Sequence, residues 1–278
     1  MNRTKPPESR TPNWTILLGL AAAALVGLYF WLQSTDGPPP QEPAVVASVP
    51  PQIAAVSPPA EPAIKHPVES IPVEPMPSAE PLPPREQSDP AAQSAAQTLA
   101  TAAEIADVLF PDGLVRRFVA TVDNLPRETL SMRVRMIKGM PGQFLVSGGD
   151  SSPSIAIANS ARYTAFVRFV QGLDAKKLVS VYLRFYPLLQ EEYRSLGFPN
   201  KQFNDRLVET IDDMLSAPQP EEPIALVQPK VMYKYADPAL ESMSAGRKIM
   251  MRIGKDNAGI LKAKLREVRA LLVTAKPN

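Results

Sequence analysis

Proline decides where this chain can fold. About half of its 32 prolines lie between Pro38 and Pro90, and each one removes a main-chain donor and holds φ near about −65°. The run GPPPQEPAVVASVPPQIAAVSPPAEPAIKHPVESIPVEPMPSAEPLPPREQSDP shows neither helical nor alternating apolar spacing, so it predicts polyproline II or disorder. A Pro-rich disordered linker over 33–92 follows. The foldable part of the 278 residues is then 93–278, enough for one sizeable core. Glu-Pro pairs at Glu42, Glu61, Glu74 and Glu80 are loose low complexity, not a structural repeat.

Ahead of the prolines, Trp14 to Leu32 (WTILLGLAAAALVGLYFWL) carries no charge. A helix of that length nearly crosses a hydrocarbon layer of about 30 Å. Trp14 marks one edge and Tyr29, Phe30 and Trp31 the other, where amphipathic rings settle at membrane interfaces. Arg3, Lys5 and Arg10 precede the span, and no Lys or Arg follows it until Lys65. That asymmetry predicts a cytoplasmic tail at 1–13, a transmembrane helix at 14–32 and export of everything beyond. The expected location is thus the bacterial inner membrane, single-pass, with the C-terminal domain in the periplasm. Ala22 and Ala24 have the spacing of a signal-peptidase site, the competing reading; the apolar run continues past them through Trp31, which favours a retained anchor.

The formal charge of +2 averages two unlike parts. The Pro-rich stretch is acidic by about five charges and the C-terminal domain basic by about six, a balance suited to acidic partners such as anionic headgroups or wall polymers. With no cysteine, disulfides, thiolate nucleophiles and Cys-based metal sites are excluded. The single histidine, His66, lies in the Pro-rich stretch, so the domain has no histidine for a serine triad or a zinc site.

Apolar spacing in the domain predicts a mainly α fold with a small β-hairpin. Helices are expected over Leu99–Leu109 and Gly113–Leu125, separated near Pro111, and the hairpin over Met132–Ile137 and Gln143–Val146. SGGDSSPS then reads as an exposed loop. Further helices run from Asn159 or Ser160 to about Gly172, from Asp174 to Leu196 with a kink or break at Pro187, and over Phe203–Leu215. Ile224–Val227 reads as a short extended segment, and the final helix covers about Ala258–Thr274 with Leu261, Leu265, Val268 and Leu272 facing inward.

The blocks LFPDGLVRRFVATVDNLPR, ANSARYTAFVRF, YPLLQEEYRSLGFPNKQFNDRLVETIDDML, PKVMYKYADPALESMSAGRKIMMRIGKDNA and LKAKLREVRALL, in that order, resemble the bacterial domain-of-unknown-function family numbered 3014. The resemblance covers nearly all of the domain. It implies a membrane-anchored envelope protein of diderm bacteria, and brings no activity or catalytic residues with it.

Few residues offer chemistry. Ser244 and Lys248 stand at i, i+4, a spacing common in exposed helices. Glu191 with Glu192, Asp212 with Asp213, and Glu221 with Glu222 are adjacent, so within a helix they diverge by about 100° and suit a solvated face better than an acid and base flanking a sugar. Asp205, Glu209, Asp212 and Asp213 lack the glycine turn of a calcium loop. Gly148-Gly149-Asp150-Ser151-Ser152 lacks the lysine of a phosphate loop and is followed by Pro153.

Arg162, Tyr163, Arg184, Tyr186, Asn204, Asp205 and Arg206 are the candidate binding residues, since planar guanidinium and phenol groups suit carboxylated or glycan ligands as well as protein interfaces; internal pairing is the alternative. Lys262, Arg266 and Arg269 form a basic stripe on the last helix. No cofactor, metal or nucleic-acid partner is expected. The sequence reading is a non-catalytic envelope interaction or scaffold protein that binds another envelope protein or peptidoglycan, with a carboxylate-dependent peptidoglycan hydrolase as the alternative.

Overall fold

The computed structural model describes residues 63–77, 80–149 and 151–273. The chain divides into a unit of residues 1–58 and one of residues 59–278, and all described residues belong to the second. The expected tail and membrane helix, 1–32, and most of the Pro-rich run lie outside them. No helix among the described residues is long and apolar enough to cross a membrane.

The described part of the second unit is mainly helical, with two small antiparallel hairpins. Helix α1 covers Asp89–Ala96, α2 Ala102–Val108 and α3 Leu114–Asn124. Thr101 opens α2 with a reciprocal capping box, its hydroxyl accepting from the Glu104 N–H while the Glu104 carboxylate accepts from the Thr101 N–H. The start of α3 is capped from a distance: the Asp89 carboxylate accepts the N–H groups of Gly113 (2.6 Å) and Leu114 (2.8 Å), which ties α1 to α3.

A 3-10 stretch, Ile157–Tyr163, leads into α4 (Thr164–Gly172), and α5 (Ala175–Ser195) follows with Asp174 as its N-cap. Pro187 sits inside α5, which runs unbroken, so of the expected kink or break the break does not occur. The lost bond to the carbonyl four residues back costs about 3 kcal/mol. Leu183, Phe185, Leu188 and Leu189, buried on both sides of the proline, outweigh it at about 1.5–3 kcal/mol each. Helix α6 covers Phe203–Leu215, α7 Pro238–Glu241, α8 Ala245–Arg252 and α9 Lys255–Val273.

Strands β1 (Val146–Ser147) and β2 (Ser154–Ile155) pair around the SGGDSSPS turn, and β3 (Leu226–Val227) pairs with β4 (Lys234–Tyr235). A bridge from Ser154 to Ala225 joins the two hairpins. Gly148 is required in the first turn: its φ is +83°, and an added Cβ would meet the Ser152 carbonyl oxygen at 2.2 Å. The first hairpin therefore lies ten residues or so later than apolar spacing predicts. Met132–Ile137 is not its first strand because α3 already satisfies that segment: Arg117 donates to the carbonyls of Arg133 (3.0 Å) and Arg135 (3.2 Å), and the Thr121 hydroxyl accepts from the Met136 N–H (2.8 Å).

Three apolar clusters organise the fold. The largest joins α3, α5, α6 and the end of α9 around Val119, Val179, Phe185, Phe203 and Leu272. A second holds α4 and α8 against α9 through Val167, Met250, Ile253 and Leu261. The third seats the hairpins on α8 through Ile155, Leu226, Tyr235 and Met251. Helix α8 approaches the end of α3 closely, where the Gly246 N–H donates to the Leu125 carbonyl (2.8 Å) and a Cβ would lie 2.9 Å from Met214.

The largest departure from expectation concerns the Pro-rich run. Of the linker predicted over 33–92, the described residues are not an unstructured linker: 63–77 form a strap packed on the first cluster, 80–88 continue across α5, and α1 begins at Asp89. Ile71 is 1% exposed, and Val68, Val73, Met76 and Leu82 pack against the same cluster. Composition misled because proline density measures lost donors and helix incompatibility; an extended chain lying on another element needs neither.

Candidate functional site

The strap runs over α5 and α6, and what holds it there is built from the helix period. Ser180 and Arg184 lie one turn apart on α5, and Asn204 and Asp205 occupy the first turn of α6. The Asp205 carboxylate accepts the N–H groups of Lys65 (3.1 Å) and His66 (2.7 Å). Asn204 donates its amide to the His66 carbonyl (2.9 Å) and accepts from the Tyr182 hydroxyl (3.0 Å). Farther along, the Ser180 hydroxyl donates to the Glu74 carbonyl (2.7 Å), the Met76 N–H to the Ser180 carbonyl (2.9 Å), and Arg184 to the Glu80 carbonyl (3.0 Å). Apart from the Tyr182–Asn204 bond, each of these reaches main chain of the strap or of its continuation at Glu80, which supplies partners to extended groups that no strand partner satisfies. Arg85 closes the far end on Glu192 (3.2 Å).

The polar layer beneath is largely buried. Asn204 is fully buried, and burial pushes the Tyr182 phenol well above its ordinary value, with Tyr186 and Asp205 adding to the effect. Tyr186 is pushed up to about 12, again by burial first. Its hydroxyl lies 3.0 Å from the Gln190 side-chain oxygen and 3.3 Å from that of Gln202. At the edge of the strap, Val73, Met76 and Pro77 meet Val181, Ser180 and Thr98 around a shallow cavity of about 440 Å³, with Lys176 and Lys177 on its rim.

The seven candidate residues therefore do not share one surface. Asn204 and Asp205 hold the strap at Lys65 and His66, Arg184 holds its continuation at Glu80, and Tyr186 packs edge-on against Tyr182. Arg206 turns the other way: it meets Asp123 (3.2 Å), donates to that residue's carbonyl (2.5 Å) and pairs with Glu209 (2.9 Å). Asp123 is buried and also paired with Arg127 at 2.5 Å, so Arg206 compensates a buried charge whose loss of partners is costly. Arg162 pins a loop by donating to the carbonyls of Met140 (3.3 Å), Pro141 (3.1 Å) and Gly142 (2.9 Å) and to Asn159, and its guanidinium lies 5.6 Å from the Tyr163 ring. Two of the three residues of the basic stripe are engaged as well. Lys262 is buried and donates to the Ala217 carbonyl (2.6 Å), its desolvation lowering its pKa, and Arg269 pairs with Asp212.

Ser180, Lys176, Lys177 and the strap's own apolar residues were not among the sequence candidates. Their only signal was Ile71, Val73 and Met76 between prolines, which looks the same in a linker. The remaining chemical candidates are engaged elsewhere. Ser244 is the N-cap of α8, accepting the Arg247 N–H (3.1 Å) and donating to Asp213 (2.5 Å), while Lys248 donates to the Glu241 carbonyl (2.8 Å). Asp213 also pairs with Arg247 (2.8 Å). Among the described residues no three His, Cys, Asp or Glu side chains cluster so as to hold a metal ion.

Compared with known proteins, residues 114–269 match the model of a family described as Protein of unknown function (DUF3014). The match begins at the first residue of α3 and takes in Ser180, Arg184, Asn204 and Asp205, whereas the strap and α1 precede it. No curated protein and no solved structure matches the chain.

Proposed function

The chain belongs to the DUF3014 family, and from that footing we propose that it is a non-catalytic interaction protein of the bacterial envelope, anchored in the inner membrane by 14–32. Its domain takes an acidic, extended ligand from another envelope protein or from peptidoglycan. One observation carries this reading: the strap and α5 together wall a cavity of about 440 Å³ with an apolar floor and two lysines on its rim. An apolar slot with a few polar groups at its mouth suits an extended chain bearing carboxylates. The neighbouring cradle supports the reading, since it already grips one extended segment by its main chain. The carboxylates support it from the other side, because Asp205, Asp212, Asp213 and Glu192 serve as acceptors and ion-pair partners.

The test places a photoreactive residue at position 98, in place of Thr98 on the cavity wall, in the full-length chain in native membranes, beside binding of that chain to purified sacculi. A discrete protein adduct, or retention on sacculi, is expected, and either is lost in the Lys176→Glu, Lys177→Glu double variant. Absence of both adduct and retention would overturn the proposal, as would muropeptide release that single Glu or Asp variants abolish.

A further inference from the structure

The β3–β4 hairpin ends in an unusual tip. Val231 is 85% exposed and Met232 73%, an adjacent apolar pair, and Val227 on the same hairpin is 43% exposed. Single exposed apolar residues need no explanation; a contiguous set on a held turn does. This turn is held: Leu226 pairs with Tyr235 and Val227 with Lys234, and the Gln228 amide donates to the Val231 carbonyl (3.0 Å) across the loop. Tyr235 anchors the base, 2% exposed, its hydroxyl donating to the Lys248 carbonyl (2.9 Å) and its N–H to Glu241 (2.9 Å). Tyr233 packs toward Phe144, with ring centroids 6.1 Å apart.

Charge completes the pattern. Lys230 and Lys234 flank the apolar pair, both are exposed, and neither joins an ion pair among the described residues. Lys234 stands opposite Val227, so strand pairing puts it on the outward face with that valine while Leu226 and Tyr235 face in. The carboxylates nearest in sequence, Glu221, Glu222 and Asp237, belong to the hairpin's base.

The geometry points to the 228–234 tip as a contact for an anionic lipid surface: Val231 and Met232 enter the headgroup layer while Lys230 and Lys234 meet lipid phosphates. The inference rests on the anchoring proposed above. Thirty residues, 33–62, separate the proposed anchor from the domain and can reach at most about 100 Å, so a weak contact with the bilayer would act at a raised effective concentration. A protein partner fits less well, since a stable protein interface needs about 800 Å² from each side and the tip is a narrow convex turn. Apolar side chains ringed by lysines are the usual composition of a shallow membrane contact.

The absence of cysteine makes the test direct. The full-length chain carrying Met232→Cys with an environment-sensitive label is placed in lipid nanodiscs, beside a Glu128→Cys control. In discs rich in anionic lipid, shallow nitroxide lipids should quench the label at 232 and leave that at 128 unquenched. Partitioning of the tip should weaken about thirtyfold in Lys230→Gln, Lys234→Gln or in neutral discs. An unquenched tip in a chain that co-elutes with anionic discs overturns the inference and leaves anchoring intact; a chain that does not co-elute overturns both. Label-to-label quenching between copies, or protection found only in native membranes together with a protein crosslink, assigns the tip to a protein and also overturns it.

Discussion

The strap and the β3–β4 tip are both extended, both flanked by proline and both rich in β-branched or unbranched apolar side chains, yet one ends up inside the domain and the other outside it. Ile71 is 1% exposed and Val231 85%. The difference lies in who satisfies the main chain. The strap cannot pair with itself, because its prolines lack donors, and its remaining groups find Asp205, Asn204, Ser180 and Arg184 on α5 and α6. The hairpin pairs β3 with β4 through its tip, and only its base draws on neighbours, the Tyr235 N–H on Glu241 and the Leu226 N–H on the Pro153 carbonyl. Arg117 and Thr121 of α3 treat residues 133–136 as α5 treats the strap. Polar side chains one helical turn apart thus form a recurrent device in this domain for laying extended chain on a helix.

The comparison breaks first at Ile71. Ile71→Ala should cost about 3 kcal/mol, the usual loss for emptying a packed aliphatic site, and the loss should be local. Hydrogen exchange should show the Met76 amide, bonded to the Ser180 carbonyl, losing protection while amides in the middle of α5 keep theirs. Equal loss in both would mean that the strap is an integral layer of the core and not a separable element laid upon it.

Next comes the polar grip. Asp205→Ala removes the acceptor shared by the Lys65 and His66 N–H groups and should cost about 1–3 kcal/mol, with Asp205→Asn milder because one oxygen remains. Chemical denaturation of the pair of variants in the full chain measures it. A cost near zero for Asp205→Ala would show that apolar contacts alone hold the strap, and that main-chain capture does not separate it from the tip.

These two effects also mark what could be read in advance. Helical periodicity gave α6 at its observed bounds, the Asp174 cap of α5 and the inward face of α9, because each depends on spacing within one segment. The strap and the first hairpin depended on partners distant in sequence. Asp205 lies 139 residues from His66, and nothing local to Pro67–Pro77 announces that the start of a remote helix will accept its amides. The candidate list fared likewise. Arg and Tyr density pointed to α5 and α6, where Arg184 bonds Glu80, Asn204 and Asp205 bond Lys65 and His66, and Tyr186 lies by Gln190 and Gln202. The same residue types at Arg162 and Arg206 answer local needs, a loop to pin and a buried Asp123 to neutralise.

Alkaline pH probes both regions at once. Burial pushes Tyr186, under the strap, and Tyr235, under the hairpin, up to about 12. A phenol raised in the folded state contributes stability that is complete below its free value near 10 and is lost as pH climbs toward 12. Unfolding should therefore set in between those limits, and ultraviolet titration should show tyrosines ionising late. Tyr235→Phe should remove one of them and cost about 1 kcal/mol at neutral pH through the lost bond to the Lys248 carbonyl. If Tyr235→Phe left the late phase unchanged, the hairpin base would be wetter than its burial implies.

The smallest effect belongs to the tip. Val231→Ala with Met232→Ala removes two side chains that touch water more than protein, so folding stability should shift by less than about 0.5 kcal/mol. Hydrogen exchange at the Tyr235 amide, which donates to Glu241 at the base, should also stay as it is. A large apolar group that can be deleted without cost to the fold is not there for the fold, whereas Ile71, of similar size and only a proline-bounded segment away in character, is. Should the double variant destabilise the chain by as much as Ile71→Ala, the turn would be packing on a surface that the exposed side chains conceal. The contrast between the two extended segments would then be one of position, not of role.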